Sequence, residues 1–201
     1  LGAWGVSMAP TVVLDLEGAL PVSVQDPATG QNGQAPQPLF FQVPAEGLDS
    51  DDLMTAWLRR GINFGLSGGL TRRTELEGVT IVPLIRTSGH TMRLPADQAL
   101  MRPTPMDIMT MWPPSGGRVE NIALRISGNL TTAFPDGAPA AEPAAPETPE
   151  GEAPAAPVQQ PAQEPQAEAL RTSATPAQLV IVADTDFLAD DFYVDPQNGG
   201  T

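Results

Sequence analysis

The sequence predicts a layered α/β domain. Three observations lead there. Short β-branched and aliphatic runs recur from end to end of the 201-residue chain. One amphipathic segment between them has helical spacing, with Leu53/Trp57 and Met54/Leu58 as i,i+4 pairs. Two of the runs, Val79–Arg86 and Leu179–Ala183, are apolar on both faces, as strands covered on each side are.

Leu1–Val6 reads as the end of a helix already under way, and Pro196–Thr201 stops in a polar loop, so the chain is expected to be an incomplete fragment of a larger protein. Thr11–Leu16 is a β-branched run that predicts a strand. Gly18–Pro38, rich in Gly, Pro, Gln and Asn, predicts a loop, and Leu39–Val43 a second strand. Asp49–Arg60 predicts the helix. Asp49 or Ser50 can cap it, Asp51 and Asp52 suit its first turn, Arg59 and Arg60 its last, and Gly61 its left-handed end. Ile62–Leu66 is a short strand leading into Ser67-Gly68-Gly69. Val79–Arg86 is a strand whose Pro83 calls for an edge, an end or a bulge. Glu120–Ser127 alternates, with Ile122, Leu124 and Ile126 on one face and Ala123 and Arg125 on the other. Leu179–Ala183 is a buried-type strand that ends at Asp184.

From Pro135 to Pro165 nine prolines fall among Ala, Glu and Gln, with almost no large apolar side chain. Such a stretch cannot bury enough surface to offset its ordering entropy. Residues 136–169 are therefore expected to be a disordered insertion. It divides a domain body, 1–135, from a final strand and acidic turn, 170–201, that complete the same domain. Closure entropy grows only logarithmically with loop length, so the fold tolerates the insertion.

The formal charge is −14, from 24 acids and 10 arginines. Charge of this sign repels phosphate backbones and argues against nucleic acid and against polybasic attachment to membranes. Seven acids and no base fall within 136–169, so the rest of the chain carries −7. The absence of cysteine excludes disulfides, zinc–thiolate sites and thiol nucleophiles. No apolar run reaches the roughly 18 residues that span a bilayer. No cofactor is implied.

Four constellations could carry chemistry. Gly65-Leu66-Ser67-Gly68-Gly69 matches the G-x-S-x-G turn that exposes a hydrolase serine. The single histidine, His90, lies 23 positions on, with only Glu75 and Glu77 between as acids. That interval is too short for the strands and helices a hydrolase places there, and a glycine-rich turn is the plainer reading. The acids Asp184, Asp186, Asp190, Asp191 and Asp195 follow the last strand. A strand followed by Asp-Thr-Asp resembles the first motif of haloacid-dehalogenase-type phosphatases, whose aspartates act as nucleophile and Mg²⁺ ligands. This chain has no lysine to hold the phosphoryl group, and aspartates in that place also cap turns. Arg86-Thr87-Ser88-Gly89-His90 opens at a strand's carboxyl end, where α/β folds place ligands; Ser88 and His90 are candidates, although a lone histidine is also a common partly buried polar residue. Met106, Met109, Met111 and Trp112, between prolines, make an adaptable apolar surface fit for core or for a partner.

Read in order, PLIRTSGHTMRL, NIALRISGNLTTAFP, an acidic linker and LVIVADTDFLADDFYVDPQN resemble the soluble region of the auxiliary proteins of bacterial ABC-2-type transport systems, the GldG-like family named after a gliding-motility component. The family's motifs correspond to Val82–Ser88, Ile122–Pro135 and Val180–Asp190, with Asn198 opening its last part. The resemblance implies an extracytoplasmic (periplasmic) α/β domain related to flavodoxin and glutamine-amidotransferase folds. It also implies that helices outside this segment hold the domain to the inner membrane, and that it associates with an ABC permease and its ATPase. The family has no established catalytic residues, and the cysteine of the amidotransferases is absent here. The expected function is non-catalytic partner binding through Ser88, His90, Met109, Trp112, Asp184 and Asp186. The alternative is a metal-assisted hydrolase or phosphatase built on Asp184 and Asp186.

Overall fold

A computed structural model of the chain describes residues 1–25, 30–113, 116–135, 171–189 and 192. The expected insertion at 136–169 lies outside the described residues, as do Asp190, Asp191, Asp195 and Asn198. The strands are β1 (Val6–Asp15), β2 (Ala19–Gln25), β3 (Asn32–Val43), β4 (Ile62–Gly65), β5 (Gly68–Arg72), β6 (Val79–Arg86), β7 (Thr91–Pro95), β8 (Asn121–Gly128) and β9 (Ala177–Val182). Two short helices, α1 (Ala96–Leu100) and α2 (Pro105–Met111), follow β7.

A six-stranded sheet runs β6-β8-β5-β1-β7, with β9 also paired to β8, and a three-stranded sheet runs β2-β3-β4. The layered α/β class stands. Its sheets pair antiparallel throughout, where flavodoxin-type folds are mostly parallel. Strands β1, β6, β8 and β9 fall where the apolar runs place them. Pro83 sits on the edge strand β6, beside a register shift between Pro83 and Ile85, the position a residue without an N–H can occupy.

The alternation over residues 12–14 of β1 divides these side chains between two clusters, while Val6 joins a third with Leu70, Leu124 and Ile126. Val13 joins Phe41, Val43, Phe64, Leu84 and Ile122. Val12 and Leu14 join Leu39, Leu94, Ala99 and Ile108, which brings α1 and α2 onto the core. Phe41 and Phe64 are fully buried, with ring centroids 5.8 Å apart. Burying each contributes about 2–3 kcal/mol.

The G-L-S-G-G segment is the crossing between the sheets. Leu66, at φ 54°, donates its N–H to the Leu39 carbonyl of β3. The Ser67 carbonyl accepts from Val13 of β1 one residue later.

Three expectations are overturned. The Gly18–Pro38 stretch is no loop but the β2–β3 hairpin, in which Pro21 faces Pro36. Much of this ribbon is exposed, so its strands need no apolar alternation and their composition reads as loop. The amino-terminal residues form one 3₁₀ turn, Gly2–Trp4, and then enter β1.

Residues 49–60 form a succession of turns, not a helix. Asp52 is buried and its carboxylate receives Arg125 Nε at 2.6 Å, while Thr55 Oγ1 donates to the Asp49 carbonyl. Turning these two polar side chains inward points the apolar stripe outward. The helical ladder stops after isolated bonds to Asp52 and Thr55 carbonyls.

A second buried ion cluster binds β7 to the entry of β8. Glu120, nearly buried, accepts from Arg93 Nε at 2.9 Å and Arg93 Nη2 at 2.6 Å, and from Arg118 Nε at 2.8 Å.

Candidate functional site

Ser88 lines one cleft; His90, whose N–H bonds Ser88, stands beside that cleft and does not line it. The cleft opens where β1 turns into β2, β6 ends, and β3 passes into a 3₁₀ turn at Ala45–Gly47. Its volume is about 500 Å³, within the usual range for ligand pockets. Asp15, Glu17, Gln42, Glu46, Arg86 and Ser88 supply its polar lining. Gly47 is required here by close approach, since a Cβ would stand 2.6 Å from the Arg86 carbonyl oxygen.

Asp15 is the floor of the cleft and is 1% exposed. Its Oδ1 accepts from the Glu17 and Gly18 N–H groups at 3.1 and 3.3 Å and from Ser88 Oγ at 2.6 Å; its Oδ2 accepts from the Ser88 N–H at 2.8 Å. One carboxylate therefore clamps two turns together, β1–β2 and β6–β7. Ser88 Oγ in turn accepts from the His90 N–H at 3.0 Å. The His90 imidazole is exposed, with Nδ1 3.5 Å from Glu17 Oε2. The rim thus carries Glu17, Glu46 and Arg86, with His90 next to Glu17, a mixed-charge surface able to receive basic and hydrogen-bonding groups.

Neither Met109, Trp112, Asp184 nor Asp186 lines this cleft. Met109 lies on α2, partly exposed beside the more exposed Met106, while Ile108 is buried. Trp112 packs against the Leu14–Leu39–Ile108 cluster. The helix starts at a capping box: Thr104 Oγ1 accepts from the Asp107 N–H and the Asp107 carboxylate accepts from the Thr104 N–H, with Pro105 in the first turn. The Thr-Pro-Met-Asp signature was present in the sequence and marks this helix start.

Asp184 acts as a tie. Its Oδ2 accepts from the Gly65 N–H of β4 at 2.9 Å and its Oδ1 from the Asp186 N–H at 2.6 Å. Asp186 opens a 3₁₀ turn, Asp186–Leu188, and Phe187 of that turn packs on Phe64 at 6.0 Å. Burial pushes the Asp184 carboxyl up, against the backbone bonds that favour its charge. Asp184→Ala leaves both N–H groups without this acceptor. It is expected to cost about 1–2 kcal/mol, read as a lowered thermal midpoint.

Ser67 is fully buried, and its hydroxyl donates to the Gly68 and Ala183 carbonyls. Among the described residues no group of three or more His, Cys, Asp or Glu side chains is placed to hold a metal ion. No described helix is long and apolar enough to cross a membrane.

The cleft residues that the sequence did not reveal are Asp15, Glu17 and Glu46. Asp15 sits inside an apolar strand, and that is the available signal: a charge in a buried run needs a partner.

The model of the family described as "ABC-type uncharacterized transport system" matches residues 1–201. No curated protein and no solved structure matches the chain.

Proposed function

The chain belongs to the ABC-type uncharacterized transport system family, whose members are auxiliary components of such systems, and from that premise we propose that it is a non-catalytic, partner-binding subunit. Its partners in this reading are the permease and ATPase of the same system. Its place is the extracytoplasmic (periplasmic) face of the inner membrane, held there by segments outside this chain, as in the GldG-like proteins. The observation that carries the reading is how the polar candidates are used. Ser88, Asp15, Ser67 and Asp184 all spend their oxygens on bonds that hold turns and strands together. What they hold open is the mixed-charge cleft, whose exposed Glu17, Glu46 and Arg86 are suited to contact another protein.

The test is co-purification of the tagged full-length protein from native membranes in mild detergent. An ABC permease and ATPase are expected at near-stoichiometric levels. The double substitution Glu17→Arg/Glu46→Arg is expected to weaken their recovery about tenfold and to change stability by no more than about 0.5 kcal/mol, since both side chains are exposed. Recovery of the protein without any transporter component would overturn the reading.

A further inference from the structure

The 49–60 loop is built inside out. Its anchors are polar: Asp52 to Arg125 at 2.6 Å, Thr55 Oγ1 to the Asp49 carbonyl at 2.6 Å, and the Asp49 N–H to the Leu84 carbonyl at 2.9 Å. Its large apolar side chains stand in solvent, with Trp57 77% exposed, Leu53 82%, Met54 58% and Leu58 40%. Four neighbouring large hydrophobes in one turn-rich loop exceed the scattered exposure of ordinary surfaces. The anchors hold the loop with these side chains turned outward. Arg59 and Arg60 follow directly, exposed and in no ion pair among the described residues.

We propose that this loop seats on the surface of a lipid bilayer, with Leu53, Met54, Trp57 and Leu58 entering the headgroup–acyl boundary and Arg59 and Arg60 bonding lipid phosphates. Tryptophan is favoured at that boundary, where an apolar ring and a polar N–H are both accommodated, and arginine reaches the phosphates above it. The side chains project from turns on the surface and line neither the Asp15 cleft nor the one beside Arg93 and Glu120, which suits a fluid surface better than a peptide. The 136–169 segment cannot be the occupant, because Val158 is its one branched aliphatic residue and it has no aromatic. The chain's acidity opposes attachment by charge alone, so the contact is apolar in origin. At physiological salt, exposed charges beyond about 8 Å are screened, and the arginine pair acts locally.

The test is co-sedimentation of the 201-residue chain with vesicles of mixed phosphatidylethanolamine and phosphatidylglycerol. Binding is expected, and Leu53→Ser/Trp57→Ser should reduce the partition coefficient roughly tenfold or more. Arg59→Gln/Arg60→Gln should reduce it about two- to fivefold, with loss of its salt dependence. All four residues are exposed, so both variants should keep the parent's thermal midpoint to within about 2 °C. A chain that stays in the supernatant, or sediments equally well as Leu53→Ser/Trp57→Ser, overturns the proposal. So does a photo-reactive residue in place of Trp57 that captures a protein and not lipid in native membranes. Vesicles contain no transporter, so this proposal and the partner reading above fail on separate results.

Discussion

Asp15→Ala is expected to lower stability by about 3–4 kcal/mol, more than any substitution on the rim of the cleft. The side chain is buried and accepts four hydrogen bonds, from Glu17 N, Gly18 N, Ser88 N and Ser88 Oγ. Alanine removes the acceptor and leaves those donors in a partly buried place, each at a cost of about 1–3 kcal/mol that does not add in full. Ser88→Ala deletes one of the four and is expected to cost about 1 kcal/mol. For a chain of this length the Asp15→Ala loss corresponds to a fall of roughly 10 °C in thermal midpoint. Chemical denaturation of both single variants and of the double variant measures it. The double variant should be little worse than Asp15→Ala, since the hydroxyl has then lost its main acceptor. Full additivity of the two effects would refute the shared clamp.

Glu120→Gln is expected to cost about 2–3 kcal/mol at neutral pH and to flatten the acid limb of the stability curve. Burial alone would raise the Glu120 carboxyl. The hydrogen bonds and charges of Arg93 and Arg118 more than offset this and hold it below its ordinary value of 4.5. The same contacts raise Arg93. A glutamine offers one acceptor oxygen where the carboxylate serves three guanidinium N–H groups, and its amide faces donors. The Arg118 side chain is largely exposed, which limits its share.

Because the folded carboxyl titrates lower than the unfolded one, its stabilisation is complete above about pH 4.5 and is lost as pH falls through the folded value. Asp184 runs the other way. Its carboxyl is raised in the fold, so its contribution falls as pH rises from 3.8 through the folded value. Unfolding free energies across pH 3–6 should therefore show a steeper acid decline in the parent than in Glu120→Gln. Parallel curves would remove Glu120 from the account.

Strands β1, β6 and β8 were legible because apolar runs report burial, whereas Leu179–Ala183, read as a buried strand, is only half-buried in β9, with Val180 exposed. Val79–Arg86 is β6 as read, including the edge position and irregular register that Pro83 requires. The Arg86–His90 segment was legible as a strand end carrying polar groups; Ser88 lines the cleft, and His90 stands beside it. The partners that define the cleft were not legible. Asp15 bonds Ser88 across 73 positions, and nothing near either residue names the other. The Arg93–Glu120 pair, 27 positions apart, was hidden for the same reason.

Residues 49–60 show the limit most directly. Their capping acids, terminal arginines and i,i+4 apolar pairs all favour a helix with its stripe inward. Arg125, 73 positions away on β8, takes Asp52 instead and turns the loop over. Spacing alone determines which side chains can share a face, because backbone geometry is local. Which face turns inward depends on the partner that waits there. A buried carboxylate meeting a guanidinium at 2.6 Å outweighs a propensity of a few tenths of a kcal/mol per residue. The chain therefore sets the strands that apolar runs mark, while the exposed β2–β3 hairpin, and the inward or outward sense of polar and apolar side chains, are decided only when distant segments close on one another.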